Sequence, residues 1–165
     1  MLDIQRYFIQ FSFFSFILNE IINKKTWELK KIVLPQHTDH AGVMWHGAYL
    51  NLLEEVRIDA LNKVGISYSQ LSKEGFEIPV VSLEIKYKLA LKHGENIKLK
   101  SEFNIVNKIR LRCHTFFFKE EGDIAATSVV DLVLVSKKFD SIQIVRELPK
   151  EIMDVFFLLQ EGPQN

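Results

Sequence analysis

The sequence is poor in cysteine: Cys113 is the only one among its 165 residues. A single thiol excludes an internal disulfide framework and a cysteine-based zinc ribbon, and it fits the reducing cytoplasm, where we expect the protein to be located. Cys113 alternates with Leu111 in a strand pattern, which places the two residues on the same face of the strand. We therefore expect Cys113 to be a small core or interface residue and not a nucleophile.

The sequence also has no net charge, because 21 basic residues balance 21 acidic ones. It therefore lacks the basic footprint of a protein that binds nucleic acid or an anionic membrane surface. Three familiar patterns are missing as well: a Gly-x-Ser-x-Gly elbow, a phosphate-binding loop and a conventional zinc signature. The sequence accordingly predicts no cofactor and no metal. A mixed-ligand metal site is a minor alternative, and its ligands would come from His37, Asp39, His40 and His46.

The sequence has no apolar run of the length that a membrane-spanning helix needs. The most apolar segment, Tyr7 to Ile22, is rich in phenylalanine, but its apolar core is shorter than the ~20 residues of a span. We assign residues 1–24 to an apolar N-terminal extension, either an additional helix on the domain or the product of a wrongly chosen start codon. A membrane-surface anchor is the alternative, which the scarcity of lysine and arginine disfavours. Residues 25–160 are predicted to form one domain with its own core.

Apolar residues in that domain recur with two different periods. A run from Trp27 to Leu34 predicts a first strand, and helical spacing follows from about Gly47 to Lys63. After Gly75 the period becomes two, which is typical of antiparallel strands covered on one face. The further segments are a short helix at 67–73, strands at 81–89, 96–100, 109–112 and 124–135, and a terminal helix at 148–159. One buried helix and a meander of strands predict an α+β layer, with a curved antiparallel sheet around a central helix.

The most informative segment lies just before the long helix. It reads His37-Thr38-Asp39-His40-Ala41-Gly42-Val43-Met44-Trp45-His46-Gly47-Ala48-Tyr49. Asp39 and His46 stand seven positions apart across a glycine, so that a carboxylate on an irregular loop precedes a helix N-terminus. A carboxylate can attack a carbonyl or activate water, and the unpaired N–H groups of a helix N-terminus can stabilise an oxyanion. The alternatives are a turn-forming or capping role for Asp39 and a capping or packing role for His46.

This segment resembles the active-site region of the hot-dog-fold acyl-CoA thioesterases of the 4-hydroxybenzoyl-CoA thioesterase type. Their segment reads roughly Asp-Thr-Asp, two residues, glycine, and then a histidine or aromatic residue where the long helix begins. The resemblance extends along the helix through Tyr49, Glu54 and Arg57, and it departs at His37, which replaces the first aspartate. It implies the hot-dog fold, a curved antiparallel sheet of about five strands around one long central helix. The periodicity of the sequence predicts the same order of elements independently.

The resemblance implies a thioester hydrolase that cleaves acyl-CoA to a free acid and coenzyme A. Asp39 would act as nucleophile or general base, and the helix N-terminus at His46 would polarise the thioester carbonyl. Glu54 would lie near the reacting centre or orient the histidine, and an ion pair with Arg57, within the helix or between subunits, is an equal alternative. The substrate-binding residues that we expect are Val43, Trp45, Gly47 and Tyr49.

The resemblance also implies assembly. Hot-dog subunits of this kind form at least a dimer with the active sites between subunits, and commonly a tetramer, so we expect a homo-oligomer without a nucleic-acid partner. Membrane contact through residues 1–24 is not favoured. The acyl group stays open between aromatic, short and long chains. Two further functions stay open as well: hydrolysis on an acyl carrier protein, which requires a basic docking patch, and acyl-CoA binding without catalysis. A hot-dog dehydratase is a weaker option.

Overall fold

The structure is a computed structural model, and it describes residues 25–138 and 141–164. The apolar extension that we assigned to residues 1–24 lies outside the described residues. Where the structure describes the chain, its main elements are a five-stranded antiparallel sheet and a long helix, α1 (His46–Lys63). The strands of this sheet are β1 (Trp27–Ile32), β3 (Val80–Tyr87), β4 (Asn96–Val106), β5 (Arg110–Lys119) and β6 (Ile124–Val133). The predicted α+β class is confirmed.

The order of strands in the sheet is β1-β4-β5-β6-β3, which corrects part of the predicted meander. Strands β4, β5 and β6 do follow one another as antiparallel neighbours. Strand β3 instead pairs with β6, from Val80 opposite Leu132 to Tyr87 opposite Ala126, and forms the edge farthest from β1. Alternation in a sequence tells which residues share a face of a strand, but it carries no information about which strand lies next to it. The position of β3 was therefore not predictable from the pattern.

The core lies between α1 and the inner face of the sheet. Alternate residues of β4 and β5 are buried there, while the residues between them lie on the outer face and are only partly covered. The buried set on these strands is Ile97, Leu99, Ser101, Phe103, Leu111, Cys113, Thr115 and Phe117. The helix contributes Ala48, Tyr49, Leu52, Leu53, Val56 and Ala60. The predicted helix is confirmed and begins at His46, one residue earlier than expected.

Cys113 lies in this core, as predicted, with an exposed fraction of 1%. Burial raises the pKa of its thiol to about 11, while a hydrogen bond from Thr115 acts in the opposite direction. The thiolate is thus scarce at neutral pH, and a nucleophilic role for this cysteine has no support.

Smaller elements complete the described part of the domain. The strands β2 (Phe76–Glu77), β7 (Val135–Lys138) and β8 (Ser141–Ile144) form a second sheet, so the strand predicted at 124–135 is divided between β6 and β7. A short helix, α2 (Tyr68–Lys73), follows α1. The predicted terminal helix is confirmed as α3 (Lys150–Glu161), and the Trp27 indole N–H donates to the Leu159 carbonyl on it at 2.8 Å. None of the helices within the described ranges is long and apolar enough to cross a bilayer.

Candidate active site

The loop that carries Asp39 is a closed hairpin at the entrance to α1. Thr38 forms an isolated β-bridge with Met44 across the hairpin. The backbone N–H of Trp45 donates to the His37 carbonyl at 3.1 Å. These contacts hold the first residue of α1 beside the segment that contains Asp39. The structure therefore brings the predicted carboxylate and the predicted helix N-terminus together.

The Asp39 carboxylate forms the turn through one of its two oxygens. Its Oδ1 accepts hydrogen bonds from the backbone N–H groups of Ala41 at 2.8 Å and Val43 at 3.3 Å. Gly42 adopts φ +73°, which lets the chain reverse within the hairpin. The Asp39 side chain is exposed, and no described residue donates to Oδ2. The turn-forming role is thus confirmed, and a catalytic role for Asp39 stays a prediction.

The N-terminus of α1 lacks the usual capping and acidic side chains in its own first turn. Its N-cap is Trp45, which makes no side-chain capping bond, and its first turn contains no acidic residue. Helices usually begin with Ser, Thr, Asp or Asn, because these side chains accept a bond from the free N–H groups. The free N–H groups and the helix dipole here present positive potential to solvent, as the stabilisation of an oxyanion requires. The His46 side chain is exposed at the same end.

Trp45 covers this helix terminus. Its six-membered ring occupies the position where a side chain on Gly47 would begin, so any other residue at Gly47 must displace the indole. The indole N–H reaches the Gln36 carbonyl at 3.4 Å, and its ring meets the His46 ring edge-on with centroids 5.3 Å apart. Trp45 is 41% exposed and is therefore free to move at modest cost. The structure explains why a glycine stands at this point of the predicted site.

Replacing Gly47 by alanine is expected to change catalysis more than stability. The displaced indole should lower kcat/KM by roughly 10- to 100-fold, because small misplacements near the reacting atoms are costly. The alanine favours the helix by up to about 1 kcal/mol, which offsets the cost of moving Trp45 and keeps the melting temperature nearly constant. Steady-state kinetics and thermal denaturation measure the two effects. In a Trp45→Ala background, the same Gly47→Ala change should have no further effect, and an equal second loss would contradict this account.

Tyr49 and Val43, the other predicted substrate-binding residues, differ in exposure. Tyr49 is 2% exposed, and its ring packs against Tyr87 and Phe117 at centroid distances of 5.0 and 5.2 Å. Burial raises the pKa of its hydroxyl to about 12, with smaller contributions from Tyr87 and Glu95, so the group is protonated at neutral pH. Val43 is half-buried in the hairpin. Contact of either residue with substrate stays a prediction.

Glu54 and Arg57 do not form the intrahelical ion pair that was one alternative for them. Among the described residues, the Arg57 guanidinium donates from Nη1 to the Leu53 carbonyl at 2.9 Å, and its Nε has no partner. Arg57 is 7% exposed, while Glu54 lies on the exposed side of α1. Burial raises the pKa of the Tyr68 hydroxyl on α2. Arg57 acts to lower this pKa, and the negative charge of Glu54 acts to raise it. A catalytic role for Glu54 and an ion pair between subunits both stay predictions.

His37 has a structural task that the sequence did not reveal. Its Nδ1 accepts a hydrogen bond from the Leu34 N–H at 3.1 Å and thereby closes the single 3-10 turn Pro35–His37. An aspartate at this position could accept the same bond, so the departure from the family pattern preserves the turn. Within the ranges that the structure describes, no group of three or more His, Cys, Asp or Glu side chains is placed to hold a metal ion. The mixed-ligand alternative thus gains no support.

The fold defines the class of the protein. The described domain superposes on the DHNA-CoA thioesterase from Staphylococcus aureus with a TM-score of 0.72, covering 80% of this chain and 89% of that one at 23% identity. This likeness establishes the fold, and the predicted hot-dog architecture is confirmed.

Sequence comparison identifies the family. Residues 33–156 match the thioesterase-like superfamily, and the chain belongs to it. A Synechocystis protein provisionally described as an esterase is 32% identical over 143 residues, which cover 86% of this chain and 85% of the relative. A Bacillus subtilis protein provisionally described as an acyl-CoA thioesterase is 26% identical over 113 residues, covering 68% and 82%. The matched range contains the whole Asp39 hairpin and α1.

Proposed function

We propose that the protein hydrolyses acyl-CoA thioesters at the hairpin that joins Asp39 to the start of α1. One observation carries this proposal: among the described residues, a carboxylate with one oxygen free of protein hydrogen bonds is held next to a helix N-terminus whose N-cap, Trp45, makes no side-chain capping bond. Membership of the thioesterase-like superfamily supports it, as do relatives and structural neighbours described as acting on CoA thioesters.

The chemistry follows from the two groups. As general base, Asp39 takes a proton from water while the water oxygen attacks the thioester carbonyl carbon. The oxyanion that forms is stabilised by the free N–H groups at His46 and Gly47 and by the helix dipole. Collapse of this intermediate breaks the carbon–sulfur bond, and the proton returns to the leaving thiolate. As nucleophile, Asp39 would instead attack the thioester carbonyl carbon and expel the coenzyme A thiolate as the carbon–sulfur bond breaks, and water would then hydrolyse the resulting acyl anhydride to the free acid and the Asp39 carboxylate.

The test is thiol release from aromatic, short-chain and long-chain acyl-CoAs. The proposal expects turnover of at least one class, and the most rapidly cleaved thioester reveals the acyl preference. Absence of thiol release from all of them, with acyl-CoA still bound, would favour the non-catalytic binding function. A cytoplasmic location is part of the proposal and agrees with the buried, unpaired Cys113.

The proposal includes a homodimer, which the β3 edge of the sheet supports. Val80, Val81, Leu83 and Tyr87 on this strand are 43, 49, 41 and 54% exposed. A long apolar edge strand is a template for pairing with another strand, and proteins seldom leave one uncovered. Pairing of two β3 strands would join two sheets into one continuous sheet, and a tetramer would require a further interface.

Substitution of Leu83 by lysine is expected to separate the subunits. Light scattering after gel filtration should show the mass falling toward the 19.2 kDa of one chain, while the wild type is at least a dimer. Thioesterase activity should fall at least about tenfold, because the site depends on its partner. Ile142→Lys is the matched control, since Ile142 is 71% exposed on β8 and outside the β3 edge. A monomeric wild type, or a dimer that tolerates Leu83→Lys, would refute the β3 interface.

A further inference from the structure

A groove of about 920 Å³ lies at the β1 edge of the sheet, apart from the Asp39 carboxylate. It is lined by β1, β4, the end of β5, Glu55 of α1 and the turn that follows β5, and it extends to Gln36 and His37 in the turn that precedes Asp39. Asp39 and His46 are not among its lining residues. The volume is in the range of small-molecule sites in proteins, roughly 300 to 1,000 Å³. The groove is therefore large enough for a ligand whose far end approaches the active-site hairpin.

Two lysines in the groove, Lys30 and Lys98, stand side by side on neighbouring strands. Lys30 of β1 and Lys98 of β4 are directly opposite in the strand register. In the part of the chain that the structure describes, neither has an ion-pair partner. The neighbouring lysines differ, since Lys31 pairs with Glu55 at 2.6 Å and Lys100 pairs with Glu28 at 3.1 Å. Like charges at directly opposed positions destabilise a sheet, so a bound anion would relieve a repulsion that the fold otherwise retains.

An apolar wall runs beside these two charges. Phe118 stands opposite Lys98 on the neighbouring strand β5, and its ring centroid lies 6.0 Å from the Nζ of Lys100. Ile32 and Leu34, also in the lining, are 53% and 42% exposed. Among the described residues the groove thus combines two lysines that form no ion pair with exposed apolar side chains and the half-buried Phe118 ring, while its two carboxylates, Glu55 and Glu120, are bonded to Lys31 and Asn96. A ligand that carries phosphates next to a flat ring has this chemistry.

We propose that the groove binds the phosphorylated nucleotide of coenzyme A, with its phosphates at Lys30 and Lys98 and its base against Phe118 and Ile32. The assignment deepens the proposed function and rests on it for the identity of the ligand. Coenzyme A carries its phosphates and adenine at one end and its thioester at the other. The pantetheine arm would run along the Gln36–His37 end of the groove toward the Asp39 hairpin.

The test compares two substrates that share an acyl group. In the Lys30→Ala/Lys98→Ala variant, KM for acyl-CoA should rise about tenfold or more with kcat nearly unchanged, since two charge-assisted contacts are lost. The corresponding N-acetylcysteamine thioester lacks the nucleotide, and its kcat/KM should not change. The melting temperature should stay constant or rise, because the substitution removes a repulsion. Lys63→Ala/Lys73→Ala removes the same charge at the far end of α1 and in α2, and it should leave both substrates unaffected.

Calorimetric binding of 3′,5′-ADP separates this inference from the proposed function, because the ligand has no thioester. Wild-type protein should bind it, and the double variant should lose most of the affinity. If the wild type hydrolyses no thioester yet binds 3′,5′-ADP in a lysine-dependent way, the hydrolase proposal fails and the groove assignment stands. Unchanged KM for acyl-CoA together with unchanged nucleotide binding would overturn the assignment. A loss confined to acyl-carrier-protein substrates would also overturn it and would make the groove a docking site for that acidic protein.

Discussion

Asp39→Asn is expected to lower kcat for acyl-CoA hydrolysis by roughly 10²- to 10⁴-fold, the usual contribution of a positioned general base. The substitution is nearly isosteric. The asparagine Oδ1 can still accept from the Ala41 and Val43 N–H groups, so the hairpin should keep its shape. Only the free oxygen is replaced, by an amide nitrogen that can neither take a proton nor attack a carbonyl. Steady-state kinetics and thermal denaturation should therefore show a large loss of activity at an unchanged melting temperature.

Two control variants make this prediction specific. Asp39→Ala removes the turn contacts as well as the carboxylate, so it should lose stability in addition to activity. Asp59→Asn changes an equivalent carboxylate that pairs with Lys63 at 2.6 Å on α1, and activity should be retained there. If Asp39→Asn keeps wild-type turnover, Asp39 is only the turn-forming residue of the hairpin.

The second large loss of kcat is expected at the N-terminus of α1. Replacing His46 by alanine or by proline distinguishes the contribution of its side chain from that of its backbone N–H. His46→Ala removes the imidazole and keeps the N–H, whereas His46→Pro removes both. Removal of one oxyanion donor typically costs about 10²- to 10³-fold in kcat, so His46→Pro should show at least that loss. His46→Ala should lose less, because the oxyanion retains its backbone donor.

The fold should tolerate the proline. His46 is the first residue of α1, a position where proline is favoured because the N–H has no partner within the helix. Trp45 has φ −80° and ψ 154°, the extended conformation that a residue before proline prefers. Circular dichroism and thermal denaturation check that both variants are folded. Equal losses in His46→Ala and His46→Pro would assign the effect to the imidazole, and full activity of His46→Pro would exclude its N–H as the oxyanion donor.

Local sequence patterns predict much of the fold. The boundaries of α1 follow from the apolar spacing between Gly47 and Lys63, and the faces of β4 and β5 follow from alternation. Both patterns arise because each element packs one face against the same core. The pairing of β3 with β6 and the division of 124–135 into β6 and β7 depend on contacts between distant segments. No local period encodes those contacts.

The candidate site was likewise predictable only in part. Asp39 and His46 could be nominated because they are close in the sequence and match a family motif. The hydrogen bond from the Leu34 N–H to the His37 ring could not be predicted, because the order of residues does not show which atom a histidine contacts. Lys98 was one of many basic strand residues in the sequence. It becomes distinctive only when the register sets it opposite Lys30 without an acidic partner among the described residues.

The most direct test of the central claim is thiol release from one acyl-CoA, measured side by side for the wild type and Asp39→Asn at equal protein concentration. The account predicts rapid release by the wild type and a loss of at least about a hundredfold in the folded variant. Equal rates in the two proteins would contradict the catalytic assignment of Asp39. Absence of release from either protein, with acyl-CoA still bound, would make this hot-dog domain a binding protein.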